Sequence, residues 1–188
     1  MSDGQHNESN DSIFKIAINL AMACFVSGAI IAGVNFVTAD AAAQKAEELK
    51  NDAMKALAQE ADTFTPVDGK EGWFVAEKDG QMIAYIVPAV SKGYGGSINF
   101  LVAVTSDGTV IDYDITSHNE TPGLGDKFNQ EPFKSQLRGK KAENLKVVKD
   151  PSDKEHIQAM TGATISSNAA AEGVKKAVEE VVQLMGGK

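Results

Sequence analysis

The chain has 188 residues, a formal charge of −8 and 43% hydrophobic residues. Its acidic balance argues against binding to phosphate backbones, so nucleic acid is not an expected partner. A single cysteine excludes an internal disulfide, a four-cysteine iron–sulfur cluster and a CxxC-type zinc, and the scattered His6, His118 and His156 argue against a metal site.

Residues 1–12 form a polar, acidic tail. From Ile16 to Val37 follow 22 residues without a charge. As a helix that run extends ~33 Å, enough for a bilayer core. It predicts a transmembrane helix over 13–38. A cleaved signal peptide would have a basic leader and a shorter apolar stretch, and Cys24 in mid-run is misplaced for lipoprotein processing. Gly28 with Ala32 and Ala29 with Gly33 put small residues four apart. That spacing suits close approach of a second helix and is equally the ordinary small-residue content of membrane helices. The lysine count places Lys15 before the span and Lys45, Lys50 and Lys55 after it. It leans toward a cytoplasmic C-terminal side.

Residues 39–63 are expected to continue as a helical stalk. Ala41–Ala61 is rich in strong helix formers, with Leu49, Ala53, Ala56 and Leu57 as an apolar stripe. Beyond it the pattern predicts one α+β domain over 64–188, with an antiparallel sheet and a C-terminal helix. Runs at 73–77 and 81–87 flank Lys78-Asp79-Gly80, and runs at 97–105 and 110–116 flank Ser106-Asp107-Gly108-Thr109. Both are hairpin signals. A short helix is expected over 130–137 and a short strand over 145–148. A helix over 168–185 has Ala170, Val174, Ala177, Val178, Val181 and Met185 as its apolar face.

Three segments carry possible chemistry. Lys92-Gly93-Tyr94-Gly95-Gly96-Ser97 lacks the following helix of a dinucleotide fingerprint; it is a tight turn or a place where backbone approaches a ligand. Ser117–Gly125 is a Pro/Gly-shaped loop in which Leu124 is an apolar side chain between glycines. His118 and Glu120 could suggest acid–base chemistry, but no nucleophile lies within reach in sequence. Thr161-Gly162-Ala163-Thr164-Ile165-Ser166-Ser167-Asn168 crowds hydroxyls at a helix start. Capping by Ser167 or Asn168 accounts for it, and so does a phosphate site on the free amides.

Thr161-Gly162-Ala163-Thr164 resembles the (Ser/Thr)-Gly-Ala-Thr flavinylation motif of the FMN-binding domain family. Glu120-Thr121-Pro122-Gly123-Leu124-Gly125 resembles that family's loop. Anchor, stalk, glycine turn and terminal helix stand in the family's order, so the likeness covers nearly the whole chain. It implies an electron-transfer subunit of an Rnf-type ion-translocating complex, with FMN covalently bound through Thr164. Gly162, Ala163, Thr164, Ile165 and Ser166 would hold the ribityl-phosphate, with Thr161 a further cofactor-binding residue. Glu120, Thr121, Gly123 and Leu124 would belong to the loop over the ring. No catalytic residue, metal or self-sufficient active site is implied. The implied partners are other membrane subunits and, during maturation, a flavin transferase. The likeness also implies a single-pass protein of the cell membrane with its N-terminus in the cytoplasm and the flavin domain outside, opposite to the lysine count. Competing expectations are the flavin subunit of a quinone reductase and a membrane-tethered scaffold without a redox cofactor.

Overall fold

The computed structural model describes residues 5–150 and 152–186; residues 1–4 of the polar tail lie outside them. The chain divides into two units, Met1–Glu48 and Leu49–Lys188. Helix α1 (Gln5–Leu57) begins in the first unit and ends in the second. No helix breaker separates the apolar run from the alanine-rich segment, so the expected anchor and stalk are one continuous helix. The Thr38 hydroxyl donates back to the Val34 carbonyl at 2.9 Å, within the ladder.

In the first unit the apolar side chains of α1 are exposed, among them Phe25, Ile31 and Phe36. The helix holds an 18-residue window of mean hydropathy 2.1 with none of it buried. Among the described residues it is the one helix long and apolar enough to cross a membrane. Side chains of this kind, uncovered over such a length, are stable in a hydrocarbon environment rather than in water.

The second unit is a five-stranded antiparallel meander in the order β1 to β5, comprising Thr63–Pro66, Phe74–Lys78, Gln81–Lys92, Ser97–Val104 and Val110–Ser117. The two expected hairpins are present. Asp79 and Gly80 both have positive φ (50° and 75°), and Lys78 pairs directly with Gln81, as in a mirror-image two-residue turn. At the other hairpin, Gly108 has a φ of 80° and Thr105 and Thr109 bond across the turn.

Both faces of the sheet are covered. In β4, Ile98, Phe100, Val102 and Val104 face a core completed by Val174, Ala177, Val178 and Val181 of helix α2 (Thr164–Leu184). The alternate residues Leu101 and Ala103 face a second core with Ala53, Met54, Leu57 and Ala58 from the end of α1 and the turn after it. Burial on both sides explains why this strand is a continuous apolar run rather than an alternating one. The stripe expected at Leu49 and Ala56 is turned by one position: those two are exposed, while Met54 and Ala58 are buried. The last turns of the 39–63 segment thus belong to the globular core.

Other differences from expectation are local. Strand β1 has no counterpart among the expected elements; it is a polar edge strand ending in Pro66, where a missing amide costs no ladder bond. The 130–137 segment forms no α-helix; single 3₁₀ turns stand at Gly125–Asn129 and Lys134–Gln136. Two-residue strands β6 (Val147–Val148) and β7 (Ile157–Gln158) pair in parallel. Helix α2 starts at Thr164, four residues before the expected position, and Met185 is exposed beyond its end.

The second hairpin carries a pH-dependent contribution. The Asp107 carboxylate accepts from the Thr105 hydroxyl, from the Thr109 hydroxyl at 2.9 Å and from Lys141 Nζ at 3.0 Å. The Thr105 hydroxyl first, then Lys141 and Thr109, hold its pKa well below the ordinary carboxylate range. A depressed folded-state value means the contribution is present above the unfolded value of about 4 and disappears as pH falls toward the folded value. Asp107→Asn should therefore melt slightly below the parent chain at pH 7, with the gap closing in strong acid. Thermal melts across pH check this; a gap independent of pH would contradict it. The side chain is exposed, so the effect is small and screened by salt.

Candidate functional site

Three loops meet at the start of α2. The β3–β4 turn brings Tyr94, the segment after β5 brings Glu120 to Gly125, and the chain entering α2 brings Gly162 to Ser166. Together they wall a cavity of about 560 Å³, within the size range of small-molecule sites. Its lining is Tyr94, Glu120, Thr121, Leu124, Gly125, Gly162, Ala163, Thr164, Ile165 and Ser166.

Glu120, Thr121, Leu124, Gly162, Ala163, Thr164, Ile165 and Ser166 are all candidates from the sequence, drawn from stretches about forty residues apart, and they share one wall. Thr161 and Gly123 are not on it. Gly123 instead shapes the loop: its φ is 74°, and the Leu124 and Gly125 amides both donate to the Thr121 carbonyl. Tyr94 and Gly125 are additions to the sequence-based set. The glycine-rich turn is the signal for Tyr94, and reading it as a plain turn conceals that the same backbone borders a cavity.

The helix start departs from the capping alternative. Neither Ser167 nor Asn168 caps it. Ser167 Oγ donates to the Ala163 carbonyl at 2.9 Å and accepts from the Met160 amide at 2.9 Å, while Asn168 donates to the Thr164 carbonyl at 3.0 Å. Ala163 occupies the cap position and no side chain bonds the first amides. An uncapped helix start leaves N–H groups and the positive end of the helix dipole directed outward, an arrangement suited to a phosphate. Gly162 has a φ of 80°, and a Cβ there would stand 3.1 Å from Leu124 Cδ1. Glycine therefore serves both the backbone conformation and the approach of Leu124.

Glu120 is almost fully buried, at 4% exposure, although it belongs to a loop. Its Oε1 accepts from the Gly95 amide at 2.8 Å and its Oε2 accepts from the Ser166 hydroxyl. Its own amide donates to His118 Nδ1 at 3.2 Å. The His118 ring meets Phe128 edge-on at 5.4 Å, so this histidine is a packing and hydrogen-bonding residue rather than an acid–base group beside a nucleophile. Beneath the site, Tyr113 donates to the Phe128 carbonyl, and burial chiefly pushes its phenol pKa well above the ordinary value.

A model of the FMN-binding domain matches residues 93–179, from the glycine turn through most of α2. The G component of the proton-translocating ferredoxin:NAD(+) oxidoreductase complex of Clostridium ljungdahlii is 53% identical over 97% of this chain and 98% of its own length. The chain belongs to the Rnf/Nqr-type family of FMN-binding-domain proteins. Within this family, the G component of the Na(+)-translocating ferredoxin:NAD(+) oxidoreductase complex of Acetobacterium woodii is 27% identical over 89% of this chain and 90% of its own. The crystal structure of the C component of the Na(+)-translocating NADH-quinone reductase from Parabacteroides distasonis superposes with a TM-score of 0.51 at 27% identity. It covers 62% of this chain and 63% of that one.

The site's chemistry fits the family's flavin. Its volume lies within the range of small-molecule sites, and Leu124, Ile165 and Tyr94 are apolar or aromatic side chains at the wall, each exposed. Among the described residues, no Lys or Arg lines the cavity. The amides at the start of α2 are thus the groups this wall offers to an anion.

Proposed function

We propose that this chain is the membrane-anchored, flavin-carrying electron-transfer subunit of an Rnf-type ion-translocating complex, with FMN joined through a phosphoester to the Thr164 hydroxyl. The observation that carries the proposal is Thr164 itself. It is the first residue of α2, it lies on the cavity wall, and its helix start has no side-chain cap. Bound FMN supplies one- and two-electron chemistry, which joins carriers of different stoichiometry in series. The residues of this chain hold and shield. The α2 amides meet the phosphoester, Gly162 and Ala163 leave it room, and Leu124, Ile165 and Tyr94 supply apolar contact for a ring.

No residue need move a proton, and the chain is not a complete enzyme. Its relatives belong to complexes named for ferredoxin and NAD(+), one translocating protons and the other sodium ions. The same electron partners are proposed here, with other membrane subunits as neighbours and a flavin transferase for maturation. Co-expressed with a transferase, the full chain should gain the mass of one FMN less one water. A chain of unchanged mass would sink the proposal.

Residues 13–38 are proposed as the membrane span, with the N-terminus inside and the 64–188 domain outside. Family likeness supports this orientation against the lysine count. Protease added to intact cells should cleave the 64–188 domain. Protection in intact cells with cleavage in inverted vesicles would reverse the assignment.

A further inference from the structure

Glu120 makes contacts that a ring-covering loop residue does not need. Its two carboxylate oxygens are taken by groups 25 and 46 residues away, the Gly95 amide and the Ser166 hydroxyl. The space around it is cleared by glycines. A Cβ at Gly125 would stand 2.7 Å from Glu120 Oε2 and 2.9 Å from Ser166 Oγ, and a Cβ at Gly93 would strike Glu120 Oε1. A Cβ at Gly95 would run into the Asn119 carbonyl. None of these three glycines has a positive φ, so each is needed for room rather than for backbone conformation. One carboxylate therefore ties all three walls of the cavity together, and it joins the first turn of α2 two residues after Thr164.

We propose that Glu120 is a positioning residue for flavin attachment: by holding Ser166 and the Gly95 turn at a fixed span, it sets the orientation of the helix start that presents the Thr164 hydroxyl. This rests on the assignment of Thr164 as the attachment residue. The feature that matters is the length of the side chain, which must reach both partners, rather than its charge. Gln has that length; its carbonyl can accept from Gly95 while its amide donates to Ser166 Oγ. Asp keeps the charge and falls short.

Phosphoester formation requires an activated donor, since condensation with free FMN in water is uphill. With a flavin phosphoanhydride, Thr164 Oγ bonds to the FMN phosphorus and the anhydride P–O bond breaks. The nucleoside monophosphate then leaves and the hydroxyl proton passes to solvent. Small misplacement of an acceptor in such a step costs up to about 100-fold in rate.

The test uses the full chain in detergent, flavin transferase and flavin adenine dinucleotide as donor, with kcat and KM taken from initial rates at varied chain concentration. Glu120→Ala, Glu120→Asp and Ser166→Ala should each lower kcat at least about tenfold with KM for the chain little changed, as for lost alignment. Glu120→Gln should recover most of the loss. Should Glu120→Ala fail to fold, as judged by circular dichroism, Ser166→Ala and the Asp–Gln pair decide. Normal kcat in Ser166→Ala, or an active Asp variant beside an impaired Gln variant, overturns the positioning role. A wild-type chain that takes up no flavin, or a Thr164→Val chain that does, defeats the underlying assignment instead.

Discussion

Replacing Thr164 with Val is expected to leave a folded chain that carries no covalent flavin. Val matches Thr in shape and branching and removes only the hydroxyl, so the first turn of α2 keeps its packing. Thr164 is partly exposed, which puts the stability change within about 1 kcal/mol. The loss of attachment should nevertheless be complete, because the neighbouring hydroxyls are poor substitutes. Thr161 is off the cavity wall, and the Ser166 hydroxyl is buried and donated to Glu120. Thr164→Ser keeps an alkyl hydroxyl at the same place and should still be labelled. Intact mass and in-gel flavin fluorescence distinguish the three chains. A Thr164→Val chain with the flavin mass would show that another residue is the attachment point.

Phe100→Ala should produce the largest loss of stability. Phe100 is 1% exposed in β4 and meets Tyr113 with ring centroids 6.3 Å apart. Its ring also fills the space left by Gly173 of α2, where a Cβ would stand 2.7 Å from Phe100 Cε2. The helix approaches the sheet closely at this point because one side chain is missing and the other is large. Truncation leaves a cavity that the glycine cannot refill, so the cost lies at ~3–5 kcal/mol. Against a total of about 5–15 kcal/mol that is a major fraction. For the globular unit it should lower Tm on the order of 10 °C. Since α2 also carries Thr164, flavin attachment should weaken with it as the temperature rises. Thermal unfolding followed by circular dichroism tests the first expectation; a Tm shift below about 3 °C would mean that the core closes over the gap.

The parts legible in the sequence are those encoded by local pattern. The uncharged run from Ile16 to Val37 specifies a long apolar helix from composition alone. The Asp79-Gly80 and Asp107-Gly108 turns set hairpins because positive φ is tolerated best there, and the meander follows from them. The apolar spacing of Ala170, Val174, Ala177, Val178 and Val181 identifies the terminal helix. The two motif segments at 120–125 and 161–166 are contiguous in sequence, so likeness to a family could locate most of the cavity wall.

Tertiary structure decided everything that depends on groups distant along the chain. Ser167 reads as a capping residue and Ser166 as a phosphate contact, yet their hydroxyls are drawn into the interior, Ser166 by Glu120 and Ser167 by Met160 and Ala163. That moves the helix start back to Thr164 and leaves its amides uncapped. Strand β6 lies within the strand expected over 145–148, but β1 and β7 are too polar or too short for periodicity to mark, and they exist because a neighbouring strand offers unpaired backbone groups. Glu120 is the sharpest case. Its sequence neighbours suggest a solvated loop carboxylate; only the fold brings the Gly95 amide and the Ser166 hydroxyl to its two oxygens and clears space for it with three glycines. Local sequence thus determined the apolar helix, the hairpins and the two motif segments. The cavity and the tie that closes it come from hydrogen bonds spanning 25 and 46 residues, which no local pattern records.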